Sequence, residues 1–281
     1  MNRRSFLISL VGAPTLAAVV AACGKLQPDD PGAQASYDLA TGPDDVILRI
    51  ASDGGFTTPD MVFSRVPQLL VTGDGRVFTP GVIPEIYPGP LVMPVMVGTL
   101  TTEGLQRLAA AADDARLIGF VADYSLPDGI GIADAPDTVV TVTVAGKTYT
   151  HRAYALGIDD PTTPERERLA KFVNATADLA TLVGAENVGS TTDFAPAAYR
   201  FRATPTDPTQ WSDPQPTIVE WPTSTGVVLS KSAECAVVAA DAIGDLFSAA
   251  NQATLFQEGD VVYQVAVVVE LPGDAGCSAA G

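Results

Sequence analysis

Thr138-Val139-Val140-Thr141-Val142-Thr143-Val144-Ala145-Gly146-Lys147 is a run of alternating β-branched residues that stops at a turn. Valine and threonine suit a pleated, half-buried surface, so the run reads as a strand ending at Gly146-Lys147, with residues 149–154 returning antiparallel to it. Immediately downstream, Thr163-Pro164-Glu165 has the form of an N-cap followed by proline at the first helical position. Leu169, Phe172, Val173, Leu179 and Leu182 then supply an apolar stripe that ends at Gly184. A strand pair joined by a tight turn and followed by a helix places the chain in the α+β class: an antiparallel sheet with helices packed on one face.

The same grammar extends upstream. Residues 45–50 read as a strand broken by Gly54-Gly55, and residues 67–71 and 76–78 flank Thr72-Gly73-Asp74-Gly75 as a hairpin. Five prolines among residues 79–98 exclude a helix or a central strand and predict a partly buried, extended loop. Thr101 or Thr102 caps a helix to Ala115, with Leu105, Leu108, Ala112 and Ala115 on one face.

Downstream, residues 197–202 and 218–221 read as strands, and residues 261–271 as a Val-rich strand central in its sheet. A helix is expected from Ser232 or Glu234 to Gln252. Shifting the chain by 138 residues superposes Leu108, Ala111, Ala112, Ala115 and Leu117 on Leu246, Ala249, Ala250, Ala253 and Leu255. Either the chain holds two related strand–helix–strand halves, or two Ala- and Leu-rich segments coincide. The halves would be residues 45–184 and 185–281.

The amino terminus reads differently. Asn2-Arg3-Arg4-Ser5-Phe6-Leu7 precedes an uncharged run that ends in Val20-Ala21-Ala22-Cys23. It resembles a twin-arginine (Tat) export signal closed by a bacterial lipobox, which implies a signal peptide over residues 1–22 and diacylglycerol on Cys23. A membrane span is the competing reading, but Gly12 and Pro14 interrupt a run shorter than the ~20 residues a span needs. Residues 23–44 are expected to form a flexible tether reaching roughly 25 Å. On this reading the protein is extracytoplasmic, held to the bacterial cell membrane through Cys23.

Loss of Arg3 and Arg4 with the signal takes the 16 basic residues to 14 against 33 acidic, a net charge of −19. That charge argues against nucleic acid and against adhesion to anionic headgroups, leaving the lipid to hold the protein.

Little chemistry is legible. His151 is the sole histidine in the sequence, no Gly-x-Ser-x-Gly elbow or phosphate loop occurs, and a lone histidine in a return strand reads as structural. One histidine and three cysteines cannot form a usual zinc site. Asp123, Asp128, Asp134 and Asp137 could gather a cation, but their spacing is that of turns rather than of an EF-hand. Trp211 and Trp221 could present a binding surface or pack as core and edge. No catalytic residue, metal or cofactor is assigned.

Gly73 to Gly75, Ile86 to Pro90, Leu100 to Gly104 and Tyr154 to Leu156 form a set of motifs covering about half the chain. On these the chain resembles uncharacterised secreted or lipid-anchored proteins of actinobacteria, a resemblance that brings no catalytic residues with it. The expected function is a binding module for an envelope protein, peptide or glycan, with a carboxylate-dependent hydrolase as the alternative. With Cys23 acylated, Cys235 and Cys277 remain, and export to an oxidising compartment predicts a disulfide between them rather than two buried thiols.

Overall fold

The computed structural model describes residues 36–128, 131–158, 162–274 and 276–277. The elements in chain order begin with β1 (Val46–Gly54), α1 (Pro59–Phe63), β2 (Leu69–Thr72), β3 (Arg76–Pro80), β4 (Val95–Thr99) and α2 (Thr102–Asp114). There follow β5 (Pro136–Val144), β6 (Lys147–Tyr154), α3 (Pro164–Ala175), α4 (Leu179–Val183) and β7 (Thr192–Asp193). The remainder is β8 (Ala198–Pro205), β9 (Thr217–Glu220), β10 (Ala236–Ala239), α5 (Ala240–Ile243), α6 (Leu246–Ala249), β11 (Thr254–Glu258) and β12 (Val261–Val269).

The first sheet runs β6-β5-β1-β2-β3-β4-β7, all antiparallel. The alternation in β5 does what the sequence predicts: Val140, Val142 and Val144 are buried. Ala145 and Gly146, both at positive φ, make the two-residue turn into β6. Gly75 is required twice over at the other hairpin, because its φ is +87° and a Cβ there would collide with the Leu100 carbonyl oxygen. Leu48, Ile50, Leu69, Val71, Val140 and Val142 form one face of this sheet and pack against Leu105, Leu108 and Ala112 of α2 and Leu169 and Phe172 of α3.

Thr101 caps α2 by accepting from Gly104 N, and Thr163 caps α3 by accepting from Arg166 N. The helix expected to run unbroken from Thr163 to Gly184 is two helices. Thr176 turns its hydroxyl onto the Val173 carbonyl and Asp178 recaps the chain at Thr181 N, so the break is satisfied by side chains.

The second sheet runs β10-β8-β12-β11-β9, with β12 central as expected. Its pairs are antiparallel except β9 with β11, which is parallel. One face carries Phe201, Val265, Val267 and Phe256, and α6 lays Phe247 over it against Tyr199, Phe201, Trp221 and Phe256.

Three further readings of the sequence need correction. The helix expected up to Gln252 is instead β10 followed by two four-residue helices. Gly244, at φ +56°, ends the first of these, and Val237 and Val238 pair with Arg200 and Tyr199 of β8. At a shift of 138 residues, therefore, α2 falls on α5 to α6 and Leu255 lies in a strand. Of residues 79–98, read as an extended loop, Thr79 and Pro80 finish β3 and Val95 to Gly98 belong to β4, so only residues 81–94 form the loop. The compact unit that holds both sheets begins at Tyr37, not Asp45. Tyr37 bonds Gln106 and Asp113 of α2, and burial together with the Asp113 carboxylate pushes its phenol up to about 12. Residues 23–35 of the expected tether and residues 1–22 lie outside the described residues.

The sheets meet through Leu70, Phe78, Val95, Val269 and Leu271. The first sheet thus turns one face to this shared core and the other to α2 and α3, whereas β12 reaches both cores from one face, with Val265 and Val267 under α6 and Val269 at the shared core. β7 joins the edge of the first sheet from beyond residue 184, so that sheet draws on both stretches of the chain.

Candidate functional site

Above β6, residues 117–128 and 131–135 are held down by a buried polar network. His151, fully buried, faces the Leu117 carbonyl with Nε2 at 2.9 Å and the Tyr124 hydroxyl with Nδ1 at 2.9 Å. Because a carbonyl only accepts, Nε2 carries the proton, and Nδ1 accepts from Tyr124. Arg166, the largest fully buried side chain, donates from Nη1 to the Tyr124 carbonyl at 2.6 Å and from Nη2 to the Tyr154 carbonyl at 2.7 Å. The Tyr154 hydroxyl in turn donates to Ile132 O and accepts from Ala135 N. One histidine, one arginine and two tyrosines thereby fix the loop at both ends. Sequence reasoning found the histidine but not its partners, although Arg166 lies three residues before Leu169 on the apolar stripe of α3.

Burial pushes the His151 imidazole down from its usual 6.5, only partly offset by the Leu117 carbonyl. The unfolded chain therefore binds a proton that the fold refuses, and stability falls as pH drops below about 6.5. The drop in urea midpoint between pH 7.5 and 5.5 should shrink in His151→Gln. An unchanged drop would assign the effect to other groups. Arg152 holds the Asp53 carboxyl below its usual value, so the contribution of that pair is lost only at lower pH.

The four loop carboxylates disperse. Asp123 accepts from the Ser125 amide and hydroxyl, Asp128 lines an open groove, and Asp134 sits at φ +60°. Asp137 shares Arg152 with Asp53, at 2.6 and 2.7 Å. Among the described residues no group of three or more His, Cys, Asp or Glu gathers as metal ligands. Trp221 is core, its indole donating to Val227 O, and Trp211 closes a single 3-10 turn.

Open depressions on the surface of the described residues include a groove and a cleft. A groove of about 560 Å³ lies between Phe120 to Asp128 and the start of α3 at Thr163 and Glu165. A cleft of about 580 Å³ lies beside the junction of the sheets, lined by Asp44, Arg76, Phe194, Glu270 and Asp274. In the cleft Asp274 is already engaged: Arg49 of β1 and Arg200 of β8 reach its two oxygens at 3.1 Å each, and Leu271 N donates to it. Arg76 is held by Asp74 and the Pro43 carbonyl. Asp44 and Glu270 leave the cleft a negative lining, suited to a cationic or hydrogen-bond-donating ligand.

Cys235 and Cys277 form a disulfide, with Cα atoms 5.4 Å apart. It ties the turn before edge strand β10, rather than a helix start, to the tail that carries Asp274, so bridge and ion pairs secure the same segment. Closing a 42-residue loop stabilises by about 3–4 kcal/mol on the chain-entropy estimate. Reduction should lower the melting temperature without abolishing the fold. Intact mass under thiol alkylation checks the bridge, and two alkylated cysteines before reduction would rule it out.

Cys23 lies outside the described residues, and among those described no helix is long and apolar enough to cross a membrane. Comparison of the chain with protein-family models, with curated proteins and with solved structures returns no match.

Proposed function

We propose that the protein is an extracytoplasmic lipoprotein, anchored through Cys23, whose folded body binds an envelope protein, peptide or glycan. The observation that carries the compartment is the Cys235–Cys277 bridge, because disulfides persist where the surroundings are oxidising. It agrees with the Arg3-Arg4 and Val20-Ala21-Ala22-Cys23 motifs. Binding is favoured over hydrolysis because Asp53, Asp137 and Asp274 are engaged by arginines and His151 is committed to a buried loop clamp.

The test is acylation in a bacterial host. Cys23→Ala should remove the lipid and leave the precursor uncleaved at residue 22, read by intact mass. Cleavage of that variant at the same bond would overturn the lipobox reading.

A further inference from the structure

The first sheet ends on β6 and β7, and the second on β10 and β9. Three of these edges are blunted. β7 has two residues, β10 has four beside the Cys235 bridge, and β9 has four between Pro216 and Pro222, so each offers little for another strand to pair with. β6 differs: it is eight residues long, holds no proline or glycine, and keeps an unbroken register with β5.

That register decides which backbone groups are free. The Ala145-Gly146 turn makes Val144 and Lys147 a hydrogen-bonded pair, so Lys147, Tyr149, His151 and Ala153 bond β5. The amides and carbonyls of Thr148, Thr150, Arg152 and Tyr154 therefore point away from the sheet. Arg166 takes the Tyr154 carbonyl, but among the described residues no group bonds the outward backbone of Thr148, Thr150 or Arg152, and all three residues are exposed. Lysine and arginine on an edge usually keep other strands off. Here both turn back onto their own sheet: the Lys147 ammonium lies 4.8 Å from the centre of the Tyr149 ring, and Arg152 bonds Asp53 of β1 and Asp137 of β5.

A row of donors and acceptors repeating about every 7 Å is matched by an extended backbone, not by a headgroup or a sugar ring. The strand that fits it without adjustment is β6 itself. Laid antiparallel about a two-fold axis at Thr150, a second β6 sets Thr150 opposite Thr150, Thr148 opposite Arg152, Tyr149 opposite His151 and Lys147 opposite Ala153. Outward groups then meet outward groups in about six backbone hydrogen bonds. Each side chain stays on the face it already occupies, and no like charges stand directly opposite. β6 carries Lys147 and Arg152 but no carboxylate, on a chain of net charge −17, so pairing here brings the cations of each copy toward an acidic neighbour and offsets part of the repulsion.

We infer that β6 pairs with β6 of a second copy, joining the two first sheets into one continuous sheet. The inference goes beyond the binding-module reading and does not rest on it. Sedimentation of the full-length chain carrying Cys23→Ser, from about 5 to about 500 μM, should show association that grows with concentration. It should be stronger in about 0.5 M than in about 0.05 M salt, because screening relieves the net repulsion. Thr150→Lys and Thr150→Glu, each setting like charges opposite at the axis, should weaken association about five- to tenfold alone, and an equimolar mixture of the two should recover it. Ile218→Lys, on the blunted edge β9, should change it less than about twofold. Amide exchange at Thr148, Thr150 and Arg152 should slow as the chain is concentrated, while Tyr149 and His151, already bonded to β5, should not change. A chain that stays monomeric throughout, undiminished association in both charged variants, or a mixture no stronger than either variant alone would overturn the inference. So would slowing of exchange at residues 148–152 by an extended valine–threonine peptide while the chain alone stays monomeric, since the edge would then belong to a foreign strand.

Discussion

Phe247→Ala should lose about 3–5 kcal/mol of folding stability, the range for truncating a buried aromatic. Phe247 is fully buried and meets four aromatic rings, with centroids 5.4 Å from Tyr199, 5.9 Å from Phe201 and Trp221, and 6.0 Å from Phe256. Its helix is four residues long, too short to hold itself by backbone hydrogen bonds, so α6 is docked by this side chain rather than the reverse. The cavity would sit beneath a segment pinned by the Leu91–Ala250 and Gln252–Gly89 bonds, which resist collapse. A urea titration monitored at Trp221 checks this. A loss below about 1 kcal/mol would mean that the ring contributes little to the second core.

Arg166→Met should cost about 3–5 kcal/mol for a different reason. Methionine fills a similar volume, but the Tyr124 and Tyr154 carbonyls lose their charged donor inside the protein, each at about 1–3 kcal/mol. Arg166→Lys should recover little, since one ammonium cannot reproduce a planar fork spanning two carbonyls. Arg168→Met, two residues on and paired with Glu165 at the surface, should change stability by about 0.5 kcal/mol or less. The discriminating measurement is proteolysis of residues 117–135. It should accelerate in both Arg166 variants and not in Arg168→Met. If all variants resist alike, the arginine does not hold the loop.

Local features were legible because local physics decides them. Thr101 and Thr163 cap where their spacing says, Gly75 turns where its φ demands, and the threonine–valine alternation of β5 buries its valines. One misreading is local, the break that Thr176 and Asp178 make between α3 and α4, and the others concern choices made by distant residues. Val237 and Val238 join a strand because β8 presents an unpaired edge some 37 residues earlier, and that pairing outweighs an apolar spacing that also suits a helix. Val95 to Thr99 follow a proline-rich run, yet they pair with β3 because the prolines stop at residue 94. The clamp around His151 joins residues 117, 124, 154 and 166, whose separations carry no periodic signal. Asp274 is similar: it looks like a turn residue and sits between two arginines from different sheets.

The placement of β1 also sets the order in which the body can assemble. One neighbour arrives early, since Ile50 pairs with Leu69, but the other pairs Ile50 with Val140, about 90 residues later. At about 5–20 residues per second of synthesis, that edge of β1 stands open for roughly 5–18 s before β5 emerges. Contacts of such separation place the chain among slow folders, whose loop-closure entropy is paid before the non-local pairing returns it. During that interval Ile47 to Ile50 is an apolar strand edge that a holdase must shield or another nascent chain can pair with. Expression at lower temperature or with added chaperone should therefore raise the soluble yield more than any surface substitution.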